Sequence, residues 1–158
     1  MQAKGIKCAA FNPFHPIMSV VMNNRDHRKI FVVDGKVGFT GGINLADEYI
    51  NVASRFGYWK DTGIRLAGEA VWSMTVMFLE MWNYINHSSE DYKQFMPQVY
   101  QKEPFEGDGF VQPYGDTPLD HETVGENIYL NIINHAERNV YIFTPYLIID
   151  NEMLVSLC

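Results

Sequence analysis

The chain has 158 residues, of which 47% are hydrophobic and 14% aromatic, a length and composition typical of one globular domain with a packed core. Its 19 acidic and 12 basic side chains give a formal net charge of −7, which argues against a broad basic surface for nucleic acid. The two cysteines stand near opposite ends without metal-binding spacing, and they indicate free thiols in a reducing compartment.

The first half of the sequence predicts four strands, namely 5–11, 27–35, 36–42 and 57–68. A proline-rich bend at Pro13 and Pro16 follows the first of them. The second and third strands meet at Asp34-Gly35, a pair that favours a tight hairpin turn.

A long helix is predicted from Glu69 to about Asn86. One side of it is apolar, at Trp72, Val76, Leu79, Trp82 and Ile85. Further apolar residues occupy the other faces, so we expect this helix to be buried nearly all round in the core and not to lie on a membrane surface. Polar residues interrupt the helix, so its apolar stretch is shorter than the roughly 20 residues that a bilayer-spanning helix needs.

The second half predicts a strand at 110–116, an amphipathic helix at 121–137, a buried parallel strand at 139–148 and a final helix capped by Asp150 or Asn151. This order is the beginning of a β-α-β unit without its completion. The unpaired edge of such a unit predicts strand exchange or dimerisation. We therefore expect a mixed α/β fold with two parts, 1–88 and 108–158, joined by a linker at 89–107.

The most informative pattern is HxK(x)4D(x)6GGxN, formed by His27, Lys29, Asp34, Gly41-Gly42 and Asn44. With average usage of roughly one in twenty at each of the six positions, chance matches occur on the order of 10⁻⁸ per start position. Residues two apart in a strand share a side, so the imidazole and the ammonium should project together. The returning strand of the hairpin should bring the glycines and the carboxamide back beside them.

These groups suit a phosphodiester. Histidine can attack phosphorus or donate a proton near neutral pH. Lys29, Asn44 and the backbone at Gly41 and Gly42 can bind the phosphate oxygens, so no metal and no cofactor is required. For Arg25 and Arg28, a charged strand rim is favoured over contact with an anionic headgroup.

This pattern resembles the HKD motif of the phospholipase D superfamily. Three stretches are similar to bacterial cardiolipin synthases in order and wording: "NNRDHRKIFVVDGKVGFTGGINLADEY", "YWKDTGIRLAGEAV" and "YIFTPYLIIDNEML". The resemblance covers nearly the whole chain. It implies one half of a phospholipase D-like α-β-α sandwich, with a mixed sheet flanked by helices, and the start of a truncated second repeat.

The resemblance also implies a mechanism. Two motifs pair in this superfamily, one histidine forms a phosphohistidine and the other protonates the leaving group. His27 would be the nucleophile or the general acid, with Lys29, Gly41, Gly42 and Asn44 on the phosphate. Asp61 would orient the histidine or, equally in keeping with its residue type, form a surface salt bridge. Asp34 would act in support, mainly by favouring the turn.

One departure limits what the chain does alone, since none of the other four histidines is followed by lysine two residues later. We therefore expect one half-site of an enzyme that joins two phosphatidylglycerols, with a second motif or a homodimer partner completing it. The family's membrane helices are missing, so the chain is expected to be soluble, while the full-length enzyme lies at the bacterial membrane. The alternatives are a single-motif phosphodiesterase or nuclease acting as a homodimer, and an inactive structural fragment.

Overall fold

The computed structural model describes residues 1–13, 25–100, 103–107, 109–117, 121–144 and 146–158. It divides into two compact units, Met1–Tyr114 and Gly115–Cys158. The elements are strands β1 (Ile30–Val33), β2 (Val37–Gly41) and β3 (Gly63–Ala67), and helices α1 (Val71–Asn86), α2 (Pro97–Tyr100), α3 (Val124–Asn134) and α4 (Asn151–Leu157). The mixed α/β class is confirmed. No helix in the described ranges is long and apolar enough to cross a membrane.

The three strands form an antiparallel sheet in the order β1-β2-β3. Ile30 pairs with Thr40, which in turn pairs with Ile64 across the second ladder. The predicted hairpin at Asp34-Gly35 is confirmed, because both residues have positive φ (52° and 65°) and the Lys36 N–H donates to the Val33 carbonyl at 3.0 Å. The strands are shorter than predicted, and the sheet is antiparallel throughout the described chain instead of mixed.

Helix α1 covers one face of this sheet and begins within two residues of its predicted start. The helix lies so close to β2 that a Cβ on Gly38 would come within 2.7 Å of the Met74 sulfur. Val71, Met74 and Leu79 are the buried apolar core. Burial nearly all round was a wrong expectation, since Phe78 remains 50% exposed. The other sheet face presents exposed apolar side chains, namely Phe31, Val33 and Phe39.

Three predicted strands are not formed. Residues 5–11 follow a short 3-10 helix, Gln2–Lys4, which ends at Gly5 in the left-handed conformation. Residues 110–116 and the described part of 139–148 have no regular secondary structure and no ladder partners. The apolar run at 139–148 suggested burial, yet Phe143 and Ile148 are 96% and 90% exposed. A strand needs a neighbouring backbone to take its hydrogen bonds, and the described residues offer none there.

The second unit contains the two predicted C-terminal helices, α3 and α4, packed against each other. Asp150 caps α4 as predicted, since its Oδ1 accepts from the Met153 N–H at 2.8 Å. The Asp116 carboxylate accepts from the Gly125 N–H at 2.9 Å at the start of α3. The predicted repeat boundaries at 88 and 107 stay a prediction. Pro16 of the predicted bend lies outside the described residues.

Candidate functional site

Strand order brings most of the predicted site residues to one end of the sheet. His27 and Lys29 directly precede β1, Gly42 and Asn44 follow β2, and Asp61 directly precedes β3. In an antiparallel sheet of this order, the start of β1, the end of β2 and the start of β3 lie at the same end. The register agrees, because Gly41 pairs with Gly63 and Thr40 with Ile30.

Asp34 lies at the opposite end of the sheet, in the hairpin turn. The four residues of β1 lie between it and Lys29, and these five steps along the chain span about 16 Å at the usual rise of a strand. Its place in the turn suits a supporting structural role and does not bring its carboxylate to the other site residues.

The side chains of His27 and Lys29 lie together, as their spacing predicts. The Lys29 ammonium donates to the His27 carbonyl at 2.6 Å and lies 3.3 Å from its Nδ1. An ammonium has no acceptor, so this second contact requires Nδ1 to be the acceptor. A neutral His27 ring in this arrangement carries its proton on Nε2.

Asp61 is half-buried and packs against the paired glycines. A Cβ on Gly42 would lie 2.5 Å from Asp61 Oδ1, and one on Gly41 would clash with the Thr62 carbonyl. The Gly42 N–H donates to that same carbonyl at 3.2 Å. Close approach of backbone and carboxylate therefore explains why two residues without side chains stand here.

The Asp61 carboxylate is bound by its own loop. Oδ2 accepts from the Trp59 indole N–H at 3.1 Å, and Oδ1 accepts from the Thr62 backbone N–H at 2.8 Å. Among the described residues, no hydrogen bond joins Asp61 to His27. A carboxylate has about four acceptor sites, so two remain for further donors.

Asn44 is half-buried at the end of the turn that follows β2, and its carbonyl accepts from the Ala46 N–H at 3.1 Å. The hydrogen bonds of the described chain leave its side-chain amide without a protein partner. That amide is therefore able to donate to an anion.

Arg28 and Asp26 form an ion pair beside the candidate site. The guanidinium donates through Nε and Nη2 to the carboxylate, with Nη2 2.8 Å from Oδ2, and Nη2 also lies 3.2 Å from the Met81 sulfur on α1. Burial raises the pKa of Asp26, but the hydrogen bonds and charge of Arg28, with Lys29, outweigh it and leave that pKa below 3.8. The Asp26 hydrogen bond also raises the pKa of Arg28.

Asp26→Asn is expected to lower the free energy of unfolding at pH 7 by about 1 kcal/mol or less, because the pair is partly exposed. The folded-state pKa lies below the unfolded one, so the carboxylate stabilises the fold above the unfolded value and loses that effect as pH falls through the folded value. The difference from wild type should therefore begin to shrink as pH falls below about 3.8 and vanish only below the lower pKa of the folded state. Urea unfolding between pH 7 and pH 3 measures it, with Asp47→Asn as the exposed control. A difference that stays constant over this range would contradict the ion-pair account.

An apolar groove of about 450 Å³ adjoins this ion pair. Its walls include Phe11, Met77, Phe78 and Trp82, and Arg28 supplies a polar edge. The groove lies in the first unit, and two of its lining residues, Asp26 and Arg28, flank His27 in the chain.

In the second unit, carboxylate oxygens of Glu126, Asp150 and Glu152 lie within 4.8 Å of one another. A hydrogen bond with Asp150 raises the pKa of Glu126. The pKa of Asp150 is lowered, first by the hydrogen bond from the Met153 backbone N–H and then by the one with Glu126. Exposed acidic groups of this kind are common without a metal ion, and we assign no metal site to them.

Residues that the sequence did not single out complete the surroundings of Asp61. Trp59 donates to its carboxylate, and Asn51 binds the backbone of Trp59 through both ends of its side-chain amide. The spacing of Trp59 and Asp61 was a usable signal, because residues two apart in an extended segment share a side. Asn51 lies eight residues before Trp59, and the sequence contained no signal that the two residues would be in contact.

The chain is similar over nearly its whole length to parts of longer bacterial proteins. An uncharacterized protein of Streptococcus mutans is 56% identical over 150 residues, which are 94% of this chain and 32% of the relative. Cardiolipin synthase of Alkalihalophilus pseudofirmus is 34% identical over 157 residues, and cardiolipin synthase 1 of Bacillus cereus is 35% identical over 162 residues.

These two matches cover 97% and 99% of this chain, but only 30% and 32% of the relatives. The chain is homologous to a segment of proteins named cardiolipin synthase. It spans less than a third of their length. No protein-family model matches the chain, and no solved structure matches it.

Proposed function

We propose that this chain belongs to the phospholipase D superfamily and carries one half-site of a phosphatidyltransferase of the cardiolipin synthase type. The observation that carries this proposal is that His27, Lys29, Gly42 and Asn44 lie at the same end of the sheet. A histidine that can attack or protonate, an ammonium and a carboxamide are groups that phosphodiester transfer needs. Homology to segments of two named cardiolipin synthases supports the same reaction class.

The proposed reaction has two steps. A histidine nitrogen attacks the phosphorus of one phosphatidylglycerol, and the bond from phosphorus to the oxygen of the headgroup glycerol breaks. The general acid protonates this departing glycerol. A hydroxyl of the second phosphatidylglycerol then attacks the phosphohistidine, its proton passes to the former acid, and the phosphorus–nitrogen bond breaks to give cardiolipin. His27 is one of the two histidines, and the second belongs to another motif or to a second copy of the chain.

The contact between Lys29 and His27 gives this scheme a starting state. With Nδ1 accepting from the ammonium, the proton of a neutral ring is on Nε2. For Nε2 to attack phosphorus, Lys29 must release Nδ1 and a carboxylate must accept the Nδ1 proton. A histidine general acid is an imidazolium with protons on both nitrogens, so Lys29 must release Nδ1 for that role as well. A substrate phosphate competes for Lys29, and Asp61 has acceptor sites left for the imidazole.

A lipid substrate agrees with the chain better than nucleic acid. The net charge of −7 opposes binding to a polyanion. Three of the 12 basic residues, Arg25, Arg28 and Lys29, lie within two residues of His27 in the chain. The apolar groove beside Arg28 offers a wall of methionine and aromatic side chains next to that segment. In the full-length protein, the membrane surface supplies the phosphatidylglycerol.

The wild-type chain is expected to convert phosphatidylglycerol in detergent micelles into cardiolipin and glycerol in equal molar amounts. Mass spectrometry of the lipids and an enzymatic glycerol assay measure the two products. Because one chain holds one half-site, the rate per chain should rise with protein concentration as pairs form.

Two parallel substrates decide between the reaction classes. Phosphatidic acid in place of cardiolipin would show hydrolysis without transfer. Cleavage of bis(4-nitrophenyl) phosphate without any cardiolipin would favour the homodimeric phosphodiesterase. A folded chain that turns over none of these substrates at any concentration would overturn the proposed function for this chain.

A further inference from the structure

The loop before β3 contains a side-chain clamp on Trp59. The Asn51 Oδ1 accepts from the Trp59 backbone N–H at 2.6 Å, and Asn51 Nδ2 donates to the Trp59 carbonyl at 2.8 Å. Asn51 itself has φ of +61°, a conformation that asparagine adopts more readily than most residues. One side chain thus fixes both backbone groups of Trp59, eight residues further along the chain.

The indole of Trp59 is also held by rings. Tyr49 meets it edge-on with centroids 5.1 Å apart, and Phe56 lies 5.7 Å away. Tyr49 and Phe56 contact each other at 6.1 Å, so the three rings form one cluster. The cluster and the Asn51 clamp together leave the indole N–H little freedom.

That N–H is directed to Asp61. We infer that Asn51 and Trp59 are positioning residues that hold the Asp61 carboxylate against Gly42 for the proposed phosphatidyl transfer, on which this inference rests. The Trp59 Nε1–H fixes Oδ2, the Thr62 N–H fixes Oδ1, and Oδ1 occupies the space where a side chain on Gly42 would stand. A carboxylate fixed at both oxygens has one orientation, and its two remaining acceptor sites then point in defined directions.

The contact itself is tested by NMR, without reference to turnover. A uniformly ¹⁵N-labelled chain has three indole N–H signals, from Trp59, Trp72 and Trp82. Asp61→Asn should shift the Trp59 indole signal and leave the other two in place, because it replaces a charged acceptor by a neutral amide. Trp59→Phe should shift the Gly42 backbone amide. An unmoved Trp59 indole in Asp61→Asn would overturn the inference whatever the activity.

Kinetics test what the contact does. Trp59→Phe keeps one aromatic ring in the cluster but removes the N–H donor with the rest of the indole, so kcat should fall about 10-fold or more while KM stays within about twofold. Asn51→Asp keeps the acceptor and the tolerance for positive φ but loses the donor, and it should show the same pattern more weakly. Trp72→Phe on α1 is the matched control with wild-type kcat.

The outcomes separate the two proposals. If Trp59→Phe turns over like wild type while His27→Ala is inactive, the proposed function stands and the positioning role is overturned. If the wild-type chain shows no turnover, the proposed function fails, and the role of Trp59 in turnover fails with it. A fall in both kcat and melting temperature equal to that of a Tyr49→Ala variant would assign Trp59 to packing alone and overturn the inference.

Discussion

His27→Ala is expected to lower cardiolipin formation from phosphatidylglycerol by about 10³-fold or more. As nucleophile the imidazole forms a bond to phosphorus, and as general acid it transfers a proton to the leaving group. Alanine can do neither. The side chain is exposed and, within the described part of the chain, Lys29 is the one hydrogen-bonding neighbour of its Nδ1, so the fold should persist. Initial rates of glycerol release, at protein concentrations where the wild type is saturated with its partner half, measure the effect.

The matched control is His121→Ala, since His121 is also exposed but lies in the second unit, outside the candidate site. It should retain wild-type turnover. Circular dichroism of both variants checks that the secondary structure is intact. If His27→Ala were to retain more than about a tenth of the wild-type rate, the reaction would not proceed through this imidazole.

Local chemistry was sufficient for the elements that depend on few neighbours. The hairpin follows from Asp34-Gly35, whose residue types tolerate the positive φ of a tight turn. Helix α1 follows from apolar spacing, and the Asp150 cap follows from a side chain that accepts a backbone N–H two or three residues ahead. The site end of the sheet follows as well, because the hairpin alone places the start of β1 beside the end of β2.

The three wrong strands share a physical cause. A strand is stabilised by a partner that its own residues do not specify, and apolar content does not supply that partner. Residues 139–148 have the composition of a buried strand, but the described ones among them are mostly exposed and form no ladder. The same limit applies to α1, where the pattern gave the helix but not which of its faces the sheet covers.

The full set of residues around Asp61 could not be predicted from the sequence, for a related reason. The contact of Trp59 with Asp61 is local, but the Asn51 clamp depends on the path of an eight-residue loop. Such a loop is set by packing of Tyr49 and Phe56 against the indole, which has no periodic signature in sequence. The paired glycines were predicted to offer their backbone to the phosphate, whereas the close approach of the Asp61 carboxylate to Gly42 became evident only in the fold.

Gly42→Ala is expected to lower kcat about 10²-fold and to cost about 1–3 kcal/mol in stability. The added methyl would lie 2.5 Å from Asp61 Oδ1, a separation that real Cβ atoms do not show. The carboxylate must therefore move, and it cannot do so without stretching its bonds from Trp59 and Thr62. Turnover of phosphatidylglycerol and urea unfolding measure the two effects.

Gly63→Ala provides the matched control, because it adds the same methyl group at the same end of the sheet with room for it. The nearest atom to that Cβ would be the Thr40 carbonyl oxygen at 3.6 Å, an ordinary contact. A comparable loss of turnover in this variant would mean that the sheet end tolerates no added volume, and the specific conflict with Asp61 would be refuted.

The double variant Gly42→Ala/Asp61→Ala isolates the cause of the effect. If the carboxylate is the obstacle, Gly42→Ala should cost little further stability in a chain that already lacks it, so the two changes should be strongly non-additive. Strict additivity would instead locate the requirement for glycine in the backbone of residue 42 itself. Glycine would then be required at residue 42 for the path of the backbone, whose N–H donates to the Thr62 carbonyl, and not for making room for Asp61.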